Sequence, residues 1–195
     1  VVLADGEVTT FGGAVRDSLG LDLVGLFVGS EGTIGIATEA WVRLIPRAQA
    51  VETMLAYFPS VEKGGQAVSD IVGHGVIPAA MEMIDKLTLN CVEDSLSLGL
   101  NRDAEALLIV EIDGPNAGIA IERKIVEQCV RARGCLEITW AADEKQRALI
   151  WKARKMSFGA LGRLAPHGYV LDGVIPRSKL SEAISEIDVI GKRHD

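Results

Sequence analysis

From residue 51 onward, short apolar runs alternate with longer stretches of helical periodicity. VETMLAYF (51–58) predicts a strand. SVEKGGQAVSDIVGHG predicts a helix capped by Ser60, with Glu62 and Lys63 in its first turn and Gly73 and Gly75 at its end. PAAMEMID (78–85) predicts a second strand with Ala80, Glu82 and Ile84 on one face. KLTLNCVEDSLSLG follows as a short helix ended by Gly99. EALLIVEIDG (105–114) carries the strongest strand signal, closed by a turn at Asp113-Gly114. NAGIAIERKIVEQCVRARG is an amphipathic helix with Ile121, Ile125, Val126 and Cys129 at helical spacing and Gly134 as its stop. LEITWAA (136–142) is a strand, and the next helix runs from the N-cap Asp143 to about Leu164. YVLDGVIP (169–176) predicts a last strand, and SKLSEAISEIDVIGKR a last helix opening on Ser178.

This order predicts an α+β domain over residues 51–195: a ferredoxin-like antiparallel sheet with helices on one face. An all-parallel doubly wound sheet competes, but only ALLIVEI is apolar on both faces, as central parallel strands usually are. The first 46 residues read differently. VVLADGEVTTFGG alternates and turns at Asp5-Gly6, a type I′ signal. LDLVGLFVG fits a helix or a strand. IGIATEAWVRLIP is β-rich, with Trp41, Arg43 and Ile45 alternating with Val42 and Leu44 until Pro46. RAQA (47–50) reads as a linker. So short a glycine-rich piece buries too little surface to stand alone, so residues 1–46 are expected to be the end of a larger domain. A start without Met and inside a strand points to a fragment or a processed chain.

Composition narrows the function classes. The 195 residues carry a net charge of −7, and 48% are hydrophobic, enough for a sizeable core. An acidic chain with pI near 5.1 lacks the Lys/Arg field that nucleic acid needs, so no nucleic-acid partner is expected. No apolar run reaches the roughly 18 residues of a membrane span. Cys91, Cys129 and Cys135 are odd in number without C-x-x-C spacing, which reads as buried small hydrophobes in a reducing compartment. That implies the cytoplasm, with a peripheral place at the inner face of the membrane also compatible. His74, His167 and His194 are scattered, so no metal site is assigned to this chain alone.

The densest signal is GLFVGSEGTIGIATEA (25–40), with Gly29, Gly32 and Gly35 three residues apart. It is neither G-x-G-x-x-G nor a Walker loop, and a β-rich segment rather than a helix follows. Glycine admits positive φ and removes Cβ, so backbone can lie against a flat ligand; the alternative is a tight bulge between two buried segments. Ser30 and Thr33 add hydroxyls, and Glu31 would rigidify the loop by accepting neighbouring N–H groups.

The run D-L-x-x-L-F-V-G-S-E-G-T-x-G-I-x-T-E resembles the end of the FAD-binding domain in FAD-linked oxidases of the vanillyl-alcohol oxidase type, in the subgroup of the glycolate oxidase FAD subunit and D-lactate dehydrogenases. The resemblance continues through Pro78, Glu82 and Asp85, through LLIVEIDG, and through IWKARKMSFGALGRLAPHGYVLDGVIPRSKL, and so covers nearly the whole chain. It implies FAD as cofactor, with Gly29, Glu31, Gly32, Thr33, Gly35 and Ile36 as flavin contacts made largely through backbone. It also implies that 51–195 is the substrate, or cap, domain, truncated at its C-terminus.

Hydride transfer from a 2-hydroxy acid to flavin needs the carboxylate held, and arginine does this with a bidentate fork. Arg154, after Trp151, matches the substrate arginine that the resemblance implies, and Phe158 lies one turn later on the same face. Without the resemblance, Arg154 reads as a surface charge beside Arg147, Lys152, Lys155 and Arg163. Asp172 in YVLDG is assigned to orienting that region, or to an ordinary Asp-Gly turn. The proton-accepting base and a divalent metal site are implied by a motif of histidines and an acid beyond DGVIPRSKL; His194 in GKRHD does not match it. No catalytic residue is therefore assigned here, and the chain by itself is expected to be inactive. The implied partners are a glycolate- or D-lactate-type substrate, partner subunits or a separate electron acceptor, and a second copy of the chain. The competing reading is a non-enzymatic ferredoxin-like regulatory or assembly domain binding a small molecule or a subunit, which would have no need of residues 1–46.

Overall fold

The computed structural model describes residues 1–15, 20–164, 167, 168 and 170–194. The chain divides into two compact units, Val1–Arg47 and Ala48–Asp195.

In the first unit, strands β1 (Val2–Leu3) and β2 (Gly35–Ile36) pair antiparallel, with Val2 opposite Ile36. The hairpin after β1 forms, but its turn differs from the type I′ expectation. Gly6 N–H donates to Leu3 C=O at 3.0 Å, and only Gly6, at φ +85°, has positive φ. Type I′ would need two consecutive positive φ values, so Asp5-Gly6 makes a three-residue loop with a glycine bulge instead. LDLVGLFVG resolves into a helix, α1 (Leu23–Phe27), capped by Asp22, whose carboxylate accepts from Gly25 N–H at 2.9 Å. The β-rich reading of 34–46 fails after Ile36. Residues 37–46 have no regular structure, and Trp41, Val42, Leu44 and Ile45 are exposed. Alternation makes a strand only where a neighbour supplies the ladder, and no strand pairs with them among the described residues.

The second unit is built on β3 (Ala50–Phe58), β4 (Ala80–Asp85), β5 (Ala106–Gly114) and β6 (Glu137–Trp140). Their order is β4-β5-β3-β6, every pair antiparallel, which is ferredoxin-like connectivity. Helices α2 (Val61–Gly73) and α4 (Asn116–Ala132) cover one face. There Met54, Ala56 and Phe58 meet Ala106, Leu108, Val110 and Ile112 over Ile71 and Val126.

The other face is covered too. Leu55, Tyr57, Ile84, Leu107 and Ile109 pack against Leu89 of α3 (Lys86–Leu96) and Ile150 of α5 (Glu144–Leu161). Both inner strands are therefore buried on both sides, β3 as well as the expected β5. This is how an antiparallel sheet comes to carry a continuous apolar run.

Ser60 and Asp143 cap α2 and α5 as expected, accepting from Lys63 and Gln146 N–H. Two helical details differ. Ile121 is 62% exposed, and Ile119 and Val130 complete the buried stripe of α4 with Val126 and Cys129. Helix α3 ends on Ser97 at φ +49° rather than on Gly99. The cause is Glu93, whose buried carboxylate accepts from the N–H groups of Leu98, Gly99 and Leu100 at 2.9–3.0 Å. Replacing Glu93 by alanine is expected to cost about 2 kcal/mol and lower the melting temperature by roughly 4–8 °C, read by thermal denaturation.

Residues 170–176, expected as a strand, have no regular structure and are exposed; Tyr169 lies outside the described residues. The last helix, α6 (Leu180–His194), follows a single 3-10 turn at Arg177–Lys179 and docks on α2, where Ser185 Oγ donates to Glu62 Oε1 at 2.6 Å.

Candidate functional site

Two groups of candidate residues exist, one in each unit. In the first, the chain leaves α1 at Val28 and turns through Gly29 at φ +85°. Glu31 (φ +50°) and Gly32 (φ +79°) are the central residues of a tight turn closed by Thr33 N–H to Ser30 C=O at 2.9 Å. Two consecutive positive φ values make this a type I′ turn. The Thr33 hydroxyl reinforces it, donating to the same carbonyl at 2.6 Å. Glu31 does not rigidify the loop as expected: it is exposed, and its carboxylate accepts no hydrogen bond among the described residues.

The three glycines serve different ends. A Cβ at Gly29 or Gly32 would meet no atom within 4 Å, so both need glycine for φ and both leave open space before the backbone. A Cβ at Gly35 would meet the Val2 carbonyl oxygen at 2.6 Å, so Gly35 is required by the β1–β2 pairing. Ile36 is 69% exposed beside it. Gly35→Ala is expected to open that pair, seen as faster amide exchange at residues 2–3 and 35–36. Gly32→Ala should cost about 1 kcal/mol from backbone strain and leave the pair closed. The open, side-chain-free backbone at Gly29 and Gly32 fits the approach of a flat ring system such as a flavin.

In the second unit, α5 lies across the sheet face formed by Thr53, Glu111 and Glu82. Arg154 meets Glu82 on β4: its Nε is 3.0 Å from Oε2, and its Nη2 donates to Oε1 at 3.2 Å. Both side chains are half-exposed. Phe158, one turn on, is 66% exposed, and Lys152 and Lys155 are exposed on the same helix. A small apolar cavity of about 80 Å³ lies under Arg154, lined by Leu89, Leu98, Leu100, Leu149 and Ala153.

Sequence reasoning missed the network one strand away. Glu111, on β5, accepts from Thr53 Oγ1 at 2.7 Å, from Trp151 Nε1 at 2.5 Å and from Arg147 Nη1 at 3.1 Å. Burial pushes its carboxyl up, but these donors and the Arg147 charge outweigh that and hold it below the ordinary range. Arg147 also pairs with Glu144 at 2.7 Å, and the hydrogen bonds it donates to Glu144 and Glu111 raise its pKa. The available signal was an acid at an inward-pointing position of an otherwise apolar strand, which demands buried partners. A groove of about 740 Å³ opens beside this network, lined by Ala80, Glu111, Arg147, Trp151, Lys155 and Met156.

The cysteines are free, with Cys91 and Cys129 buried. Burial raises the Cys129 and Cys135 thiols, as suits packing groups rather than nucleophiles. Among the described residues no group of three His, Cys, Asp or Glu side chains is arranged to hold a metal ion. None of the described helices is long and apolar enough to cross a membrane.

A ferredoxin-like α+β unit bearing a helix-borne arginine, joined to a short glycine-turn unit, is the class that fold and site define. The chain belongs to the FAD-linked oxidases: the model of their C-terminal domain matches residues 47–195. Glycolate oxidase subunit GlcD of Escherichia coli K12 is 39% identical over 191 residues, 98% of this chain and 38% of that protein. GlcD of Bacillus subtilis is 36% identical over 196 residues, 100% of this chain and 42% of that protein. A probable mitochondrial D-lactate dehydrogenase of Danio rerio is 32% identical over 194 residues, 95% of this chain and 38% of that protein. The chain thus spans about two fifths of the length of these relatives. A solved structure of alkyldihydroxyacetonephosphate synthase matches with a TM-score of 0.65 at 19% identity, over 90% of this chain and 37% of that one, a likeness of fold.

Proposed function

We propose that this chain contributes to an FAD-dependent oxidoreductase that oxidises a small 2-hydroxy acid of the glycolate or D-lactate type. The observation that carries the reading is family membership over residues 47–195 together with the GlcD and D-lactate dehydrogenase relatives. Because those relatives are much longer, the reaction is assigned to the whole flavoprotein carrying this chain, and the roles assigned here are binding roles. Residues 1–46 are read as the end of the FAD-binding domain and 51–195 as the substrate domain.

Bound FAD would supply the hydride acceptor. Gly29, Glu31, Gly32, Thr33, Gly35 and Ile36 would face it, with the glycines admitting close backbone approach. Arg154 would bind the substrate carboxylate with the end-on edge of its guanidinium fork, the edge that its pair with Glu82 leaves unused. Phe158, exposed one turn away, would shield that ion pair from water on one side. The proton-accepting base and the divalent metal that the resemblance implies would be supplied by parts of the flavoprotein outside this chain. A separate subunit or electron acceptor would reoxidise the flavin.

The test is an absorbance scan of the purified 195-residue chain and of the whole flavoprotein, before and after excess FAD and desalting. Visible flavin bands retained by the whole flavoprotein support the reading. A whole flavoprotein that stays colourless after FAD loading overturns it.

A further inference from the structure

Arg154 has two edges that can grip a carboxylate. The side-on edge is Nε with one Nη2 hydrogen; the end-on edge is Nη1 with the other Nη2 hydrogen. Glu82 occupies the side-on edge only: Oε2 is 3.0 Å from Nε and Oε1 accepts from Nη2 at 3.2 Å. The end-on edge is not used by this pair.

Glu82 is fixed in turn by its strand. It lies opposite Ile109 in the β4–β5 ladder, and Glu111, two residues along β5, anchors Trp151 and Arg147 of the same helix. Two carboxylates on neighbouring strands therefore hold three side chains of α5, at positions 147, 151 and 154, along one stripe of the helix.

We infer that Glu82 is a positioning residue that locks the Arg154 guanidinium side-on, so that only its end-on edge is offered to the substrate carboxylate. This rests on the reading of Arg154 as the carboxylate-binding arginine. Two effects of Glu82 oppose each other. Its negative charge weakens the field felt by an incoming anion. Its contact removes, before substrate arrives, rotamer freedom that a free arginine would lose on binding. The pair is half-exposed, so its charge is screened by solvent. Preorganisation is then the larger effect, and removing Glu82 should weaken substrate binding.

The experiment compares wild type, Glu82→Ala, Glu82→Gln and Arg154→Gln in the whole flavoprotein, measuring kcat and KM for glycolate and D-lactate. In parallel, the Arg154 Nε–H signal is followed by NMR in the 195-residue chain. Glu82→Ala is expected to raise KM about tenfold with kcat within about twofold, and to lose the exchange-protected Nε–H signal. Glu82→Gln keeps an acceptor for Nη2 and is expected to restore part of both, with KM raised about threefold. A Glu82→Ala KM equal to or below wild type, with Arg154→Gln still impaired, overturns the positioning role and leaves the Arg154 reading standing. An Arg154→Gln KM equal to wild type removes that reading, and the inference with it.

Discussion

Replacing Arg154 by glutamine is expected to lower kcat/KM for the 2-hydroxy acid by about two to three orders of magnitude, equivalent to about 3–4 kcal/mol. The figure is that of losing a bidentate, charge-assisted carboxylate pair and leaving the substrate anion without its partner. The carboxylate is present in ground state and transition state alike, so most of the loss should fall on KM rather than kcat. Arg154→Lys keeps the charge without the planar fork and should recover only part of the loss. Stability separates this from general damage. The Arg154–Glu82 pair is half-exposed, and its loss should cost about 1 kcal/mol or less. Steady-state kinetics beside a thermal melt checks both. A variant that melts like wild type but needs far more substrate carries the predicted signature.

The second large effect is on folding. Glu111→Ala would leave the Trp151 indole N–H, the Thr53 hydroxyl and one edge of Arg147 without their acceptor on a largely buried sheet face. We expect a loss of about 2–4 kcal/mol, at the lower side of the buried-pair range because Arg147 keeps Glu144. The pH dependence has a definite sign. The folded carboxyl titrates below its unfolded value, so its contribution is complete above the ordinary glutamate range, roughly pH 4, and is lost as pH falls through the lower folded value. Urea melts of wild type and Glu111→Gln should therefore differ most near neutral pH and converge in acid.

The sequence reading succeeded where local chemistry and tertiary packing agree. Ser60 and Asp143 announced helices because an N-cap acts within one turn, and both caps form. ALLIVEI announced a buried strand because nothing else explains so long an apolar run, and β5 lies inside the sheet. It failed where the partner decides. Residues 37–46 alternate like a strand but find no ladder among the described residues. Asp5-Gly6 and Glu31-Gly32 are both acid-glycine pairs, and only backbone closure made the second type I′. Ser97 took the left-handed cap position because Glu93, four residues earlier, gathers the following N–H groups, an arrangement that propensity does not encode.

The candidate site was legible in the same uneven way. Gly29 and Gly32 stand out by spacing, whereas Arg154 stands out only through the resemblance and otherwise reads as one surface charge among several. That Gly35 answers to the Val2 carbonyl, that Arg154 meets Glu82 and that Glu111 anchors Trp151 depend on strand register, which brings residues some 30 to 70 positions apart into contact.

The most direct test of the central claim is the visible spectrum of the flavin-loaded whole flavoprotein under argon, recorded before and after glycolate or D-lactate, beside its Arg154→Gln variant. One of these acids is expected to bleach the wild-type flavin, and the variant is expected to bleach only at far higher acid concentration. A bound flavin that no 2-hydroxy acid reduces, or a variant that follows the wild-type concentration dependence, would contradict it.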